Sequence, residues 1–487
     1  MNATAAVSAW PARPAAVRAS EHAFTALGAL CLKAFLAAQF LSLTRLFFIQ
    51  HLGDGFAALA TQAGLLSVAL LLPAVMAYGM EAGSLLGRLA PAGRAWALGV
   101  LAMAAVLFLY GWLVKGYAFS AVTHDLAPYL VIVAAVILGS IPRVWRDLDG
   151  WLVALFAAAL VVNAIGMTEM TYVVSEAYAE DRAGVSTVAY RTQGALAFWP
   201  LLLLTARARR PRTIALIVGG VFFVLAQQVL FQKRAPTVRV LLFLLVFLVV
   251  MPRLWARGSA AWTRARERRV RLIVLGMVAA GLAAALTLAP WLFQGQLAGL
   301  AQRLSGRAYS GGPAALLTWE NERFFEAGMF LDTLQPQELV LGRGFGGYFI
   351  PEATGWGVWL DDLQEFGRRQ LHVGLLMPFF KGGLALSLVY YPGLLIALAR
   401  GWRARSRPWT AAAFFVVLLH TLFLLQEGWF IMSVAFDLIT VGLCLGWLLA
   451  RTEPQRAQRT QSDGRQPDVR FSVPSVSSVA PLSGSAR

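Results

Sequence analysis

Long apolar runs broken by short polar stretches dominate the chain, and most runs approach the roughly 20 residues an α-helix needs to cross a hydrocarbon layer. The pattern predicts about twelve spans, near residues 24–49, 57–79, 95–114, 126–141, 151–167, 192–205, 213–231, 237–252, 272–291, 374–398, 409–427 and 429–450. An all-α integral membrane protein is the expected fold class. One stretch interrupts the rhythm: residues 292–375 carry carboxylates (Glu320, Glu322, Glu326, Asp332, Glu338, Glu352, Asp361, Asp362, Glu365), arginines (Arg303, Arg307, Arg323, Arg343, Arg368, Arg369) and His372. The expected organisation is a tail (1–23), helices 1–9 (24–291), a large polar loop (292–375), helices 10–12 (376–450) and a second tail (451–487). If the chain does chemistry, the polar loop is where the groups for it are gathered.

Composition agrees: 58% of residues are hydrophobic and mean hydropathy is +0.64, which excludes soluble readings. Cys31 and Cys444 lie far apart in apolar segments, so neither a disulfide framework nor a thiolate metal site is indicated. The formal charge of +17 would point to nucleic acid in a soluble protein. Here it is distributed in loops, and Arg and Lys in short loops fix orientation. Arg207, Arg209, Arg210 and Arg212, then Arg253 to Arg271, then Arg400, Arg403, Arg405 and Arg407 all fall on one side of the alternation. That side is expected to be cytoplasmic, with both termini on it, no nucleic-acid partner, and the loop 292–375 in the periplasm. The start of the chain lacks the charged n-region and immediate apolar run of a signal peptide and reads as a cytoplasmic tail. The end, rich in Ser, Pro, Gln and Arg, reads as disordered. No internal repeat of the kind that builds many transporters is evident.

Within the loop, residues 293–317 are glycine-punctuated, and 318–335 (TWENERFFEAGMFLDTLQ) place apolar residues at helical spacing. Then LGRGFGGYFIP sets Gly342, Gly344, Gly346 and Gly347 among Arg343, Phe345 and Tyr348, the composition of a tight turn that approaches a ligand or a neighbouring helix closely. After it, RRQLHVGLLMPFFKGGLALSLVYY re-enters the apolar regime with His372 at its mouth and Gly382 and Gly383 inside the helix. An Arg-bearing helix, a Gly-rich turn, and a His heading a span with Gly about eleven residues on resembles the O-antigen ligase and O-antigen polymerase superfamily. The resemblance covers roughly residues 213–398, with departures at Val373 and Lys381, where the family often has Asn and an acid.

The resemblance implies a GT-C-like fold with one large periplasmic loop and a glycosyltransferase of the bacterial inner membrane. It implies transfer of sugar chains from undecaprenyl pyrophosphate and carries over His372 and, from the outer turn QKRAPTVR, Arg234 beside Lys233. The chemistry stands without the family. A pyrophosphate leaving group is best met by preorganised cations, and arginine binds it in a bidentate way. An acceptor hydroxyl needs a base, and an imidazole titrates near neutrality. The expected site is therefore His372 and Arg323 as catalytic groups, with Arg234, Lys233, Arg343 and Lys381 binding pyrophosphate and sugar. No spacing for a metal site is evident and no cofactor is expected.

Each residue has a plainer role as well. His372 beside Arg368 and Arg369 suits an interfacial anchor, and Arg323 is spaced to pair with Glu320 or Glu326. Lys381 lies inside a span, where a charge needs a cavity or a partner. The expected activity is polymerisation of lipid-linked repeat units into an exopolysaccharide or O-antigen, working beside the flippase and chain-length regulator of the same pathway. A ligase acting on lipid A core or protein, and a flippase for the same lipid-linked sugars, are the alternatives.

Overall fold

The computed structural model describes residues 15–43, 66–177, 327–349, 371, 373–404, 408–423 and 435–451, with single positions at 55, 59, 62, 63, 216, 219, 220, 268, 272, 276 and 279. The chain divides into 1–450 and 451–487, and of the second unit only Arg451 is described. Among the described residues regular structure is helical: α1 (Ala15–Leu43), α2 (Leu71–Glu81) entered through a 3-10 turn at Ser67–Leu70, α3 (Pro91–Leu109), α4 (Phe119–Gly139) and α5 (Pro142–Ala177). Then follow the one-turn α6 (Glu338–Leu341), α7 (Met377–Arg403) after a 3-10 turn at Gly374–Leu376, α8 (Pro408–Phe423) and α9 (Ala435–Leu449). Among the described residues, four segments are long and apolar enough to cross a membrane: Phe24–Leu41, Pro91–Val114, Phe119–Gly139 and Gly374–Arg403. Leu388 is 71% exposed, and Leu384 and Leu395 lie exposed on the same helix. Apolar faces of that kind are what a helical membrane protein turns toward lipid.

Local sequence explains where the helices begin and stop. Pro91 opens α3 at a position where its missing N–H costs nothing, after Ala90 in an extended conformation. At its far end α3 widens into a π-helical turn, Tyr110–Val114, which closes with Lys115 N–H donating to the Tyr110 carbonyl at 2.9 Å. Small residues set the helix spacing. A Cβ at Gly442 would meet the Ala135 Cβ at 2.5 Å, and the faces of Gly139 and Gly446 lie against backbone of the opposite helix. These three positions let α4 and α9 approach closely, the usual way membrane helices gain dispersion contacts where the hydrophobic effect contributes little.

The two ends of this helix stack differ. At one end Ala90 N–H donates to the Leu449 carbonyl (2.9 Å) and Arg400 donates to the Ala450 carbonyl (2.7 Å). There too Tyr78 donates to Asp147 (2.8 Å), and Arg143 pairs with Glu81 and Asp147. Arg88 in the connection before α3, and Arg94, Arg146 and Arg403 on α3, α5 and α7, belong to this end by their positions. At the other end Lys115, between α3 and α4, meets Glu338 of α6 at 3.5 Å.

The structure moves several of the expected boundaries. The fourth span begins at Phe119 rather than near 126, so His124 and Asp125 belong to a helix and not to a loop. Their polarity masks the helix start, and the reason an acid is accepted there is its partner. Helix α5 runs to Ala177, past the expected end near 167, so Glu169 and Glu176 lie on helix. Helix α7 contains a break at Gly383, with φ 57° and ψ −153°. The expected spans 192–205 and 237–252, and nearly all of 213–231 and 272–291, lie outside the described residues.

Candidate functional site

The Gly-rich turn is built against the break in α7. Helix α6 stops at Gly342, whose φ of 63° admits glycine far more readily than any side chain, and Gly344 and Gly346 also take positive φ. Gly342 and Gly383 face each other so closely that a Cβ on Gly342 would lie 2.6 Å from the Gly383 nitrogen. Because Gly383 leaves helical geometry, carbonyls just before it are free to bond elsewhere. Arg343 N–H donates to the Phe380 carbonyl and Gly344 N–H to the Lys381 carbonyl, both at 3.0 Å. The broken helix thus satisfies its backbone with the turn, as irregular backbone at membrane depth must. Phe345 fills the interior and stacks on Tyr129 of α4 at 5.2 Å, while Phe330, Phe349 and Phe380 form a second aromatic cluster.

Beneath the turn lies a buried ion pair. Lys381 Nζ sits 2.6 Å from Asp125 Oδ2, with 1% and 2% of the two side chains exposed. Each partner also holds the turn's backbone: Gly346 N–H donates to Asp125 Oδ2 and Lys381 Nζ donates to the Gly347 carbonyl, both at 2.7 Å. The ammonium also lies 4.7 Å from the centre of the Phe380 ring. The other carboxylate oxygen, Asp125 Oδ1, is 3.7 Å from the half-exposed His124 and makes no hydrogen bond.

Above the turn is a mixed cluster of charge and tyrosine. Arg343 donates to the Tyr348 carbonyl (2.7 Å) and to the Thr333 carbonyl and hydroxyl (3.0 and 2.8 Å), and its Nε stands 3.5 Å from Glu338. Glu338 therefore lies between two cations, Arg343 and Lys115, at the longer separations of ion pairs rather than of charge-assisted hydrogen bonds. Burial alone would lower the Lys115 ammonium, but Tyr110 and Glu338 outweigh it and hold the group above its ordinary value, so Lys115 is charged at neutral pH. Burial pushes the Tyr117 phenol up, against the pull of Lys115, and it remains neutral. Tyr117 and the exposed Tyr348 face each other at 6.2 Å.

Of the residues expected in the site, the structure brings Arg343 and Lys381 into one unit joined through the turn. His372, Arg323, Arg234 and Lys233 lie outside the described residues. Asp125, Lys115 and Glu338 were not expected in the site. The signal for Asp125 was present: a lysine inside a span requires an anion, and Asp125 is an acid at the edge of an apolar run. Nothing local marks Lys115 or Glu338, which come together only through the docking of the turn on α3. Comparison of the chain with protein-family models, curated proteins and solved structures returns no match.

Proposed function

We propose that this chain is a glycan polymerase of the bacterial inner membrane. It would move a growing sugar chain from undecaprenyl pyrophosphate to a hydroxyl of the next lipid-linked repeat unit, at the periplasmic face. The observation that carries the reading is the seating of the Gly-rich turn on the broken head of α7. It fixes a polar, cation-bearing segment at the level of a membrane helix end, where a lipid's pyrophosphate would sit. Orientation draws support from charge: the end holding Arg88, Arg94, Arg143, Arg146, Arg400 and Arg403 suits the cytoplasm, which leaves the turn outside.

In this reading His372 takes the acceptor proton, Arg323 and Arg234 with Lys233 meet the developing charge on the pyrophosphate, and Lys115 adds a cation from the α3–α4 connection. Arg343 spends its donors on Thr333 and Tyr348 and so orders the turn while lending its positive charge. Purified protein incubated with undecaprenyl-pyrophosphate oligosaccharide tests the proposal. Ladders of increasing length are expected, and they should vanish in His372→Ala and Arg323→Ala proteins that insert normally. A single transfer to core lipid or protein would instead identify a ligase. Movement of the lipid-linked sugar across vesicles without new glycosidic bonds would identify a flippase.

A further inference from the structure

Asp125 and Lys381 come from different helices, yet both reach the same two residues of the turn. The carboxylate accepts from the Gly346 N–H, the ammonium donates to the Gly347 carbonyl, and the two charges lie 2.6 Å apart. A pair that served only to join α4 to α7 would need neither backbone contact. As a source of stability, moreover, a buried ion pair is a poor choice, since apolar residues of similar volume commonly do as well or better. What the pair supplies, and apolar residues would not, is an acceptor for one buried amide and a donor for the next carbonyl.

We infer that Asp125 and Lys381 form a clasp that positions the glycine turn, and with it Arg343, on the membrane helices. The ion pair sets the spacing of α4 and α7, and its remaining hydrogen-bonding capacity fixes the register of Gly346 and Gly347. The neighbouring bonds, Arg343 N–H to the Phe380 carbonyl and Gly344 N–H to the Lys381 carbonyl, continue the same register up to the arginine. Both residues are positioning residues, and the role in catalysis rests on the polymerase reading, whereas the clasp itself does not.

Amide exchange of the full-length protein in lipid nanodiscs, resolved over residues 342–349 and normalised to α4 of the same variant, separates the clasp from a plain ion pair. In the unaltered protein the amides of Arg343, Gly344 and Gly346 should exchange as slowly as those of α7; exchange at open-loop rates would overturn the inference without any substitution. The double variant Asp125→Leu/Lys381→Met leaves no lone charge but removes both backbone partners, so the turn should exchange at least about tenfold faster relative to α4. The double variant Asp125→Asn/Lys381→Gln also leaves no lone charge but keeps an acceptor for the Gly346 N–H and a donor for the Gly347 carbonyl, so it should hold the turn within about threefold of the unaltered protein. A simple ion pair predicts equally fast exchange of the turn in the two double variants, and that outcome would sink the clasp. Polymer output is a separate readout: an unaltered protein that makes no glycan ladder refutes the polymerase and leaves the exchange result standing.

Discussion

The two ends of the helix stack use the same residue types to opposite purpose. At the arginine end, Arg143, Glu81 and Asp147 meet at a partly exposed surface, and Arg400 reaches a terminal carbonyl. Such contacts are screened by solvent, and each adds little to stability. At the turn end, Asp125 and Lys381 are almost wholly withdrawn from solvent, and both also bond to the loop's backbone. In that setting a charge cannot relax when its partner is lost. One end gathers partly exposed charges, and the other holds the glycine turn in place.

The comparison breaks most readily at Lys381. Lys381→Met leaves the Asp125 carboxylate buried without its cation, and a loss of about 3–5 kcal/mol is expected, read as a large drop in thermal midpoint or in folded yield. Next comes the glycine contact: Gly342→Ala places a Cβ 2.6 Å from the Gly383 nitrogen at a positive φ, so a loss of about 1–3 kcal/mol is expected, with faster proteolysis of the turn. A normal midpoint for that variant would mean the turn is not seated on the helix break. At the opposite end, Arg143→Ala should cost no more than about 1 kcal/mol, because the arginine and its partners are partly exposed; a larger loss would erase the distinction between the two ends. The smallest effect is expected at Tyr129→Phe. The Tyr129 hydroxyl is buried without a hydrogen bond while its ring stacks on Phe345, so the change should stay within about 1 kcal/mol of neutral by thermal unfolding.

Some of this was written along the chain. The run LGRGFGGYF reads as a turn from the density of its glycines, and three of them take positive φ in the structure; Lys381 was conspicuous as a charge inside an apolar run. Asp125 was harder to see, because one acid after a histidine resembles a loop rather than the first turns of Phe119–Gly139. Gly383 was legible as a glycine but not as a break, since the Phe380 and Lys381 carbonyls before it find their partners in Arg343 and Gly344, far earlier in the chain.

What the sequence alone determined was the kind of protein: apolar run length dictates membrane-length helices, and the clustering of charge in 292–375 marks a polar segment between them. What only the tertiary structure decided was which charges meet. Asp125 and Lys381 are brought to 2.6 Å by the packing of two helices and the turn between them. Local patterns encode the partition of each segment between lipid and water, because that depends on the segment's own side chains. They do not encode a long-range pair, because its energy exists only once water has been excluded from both partners at the same place.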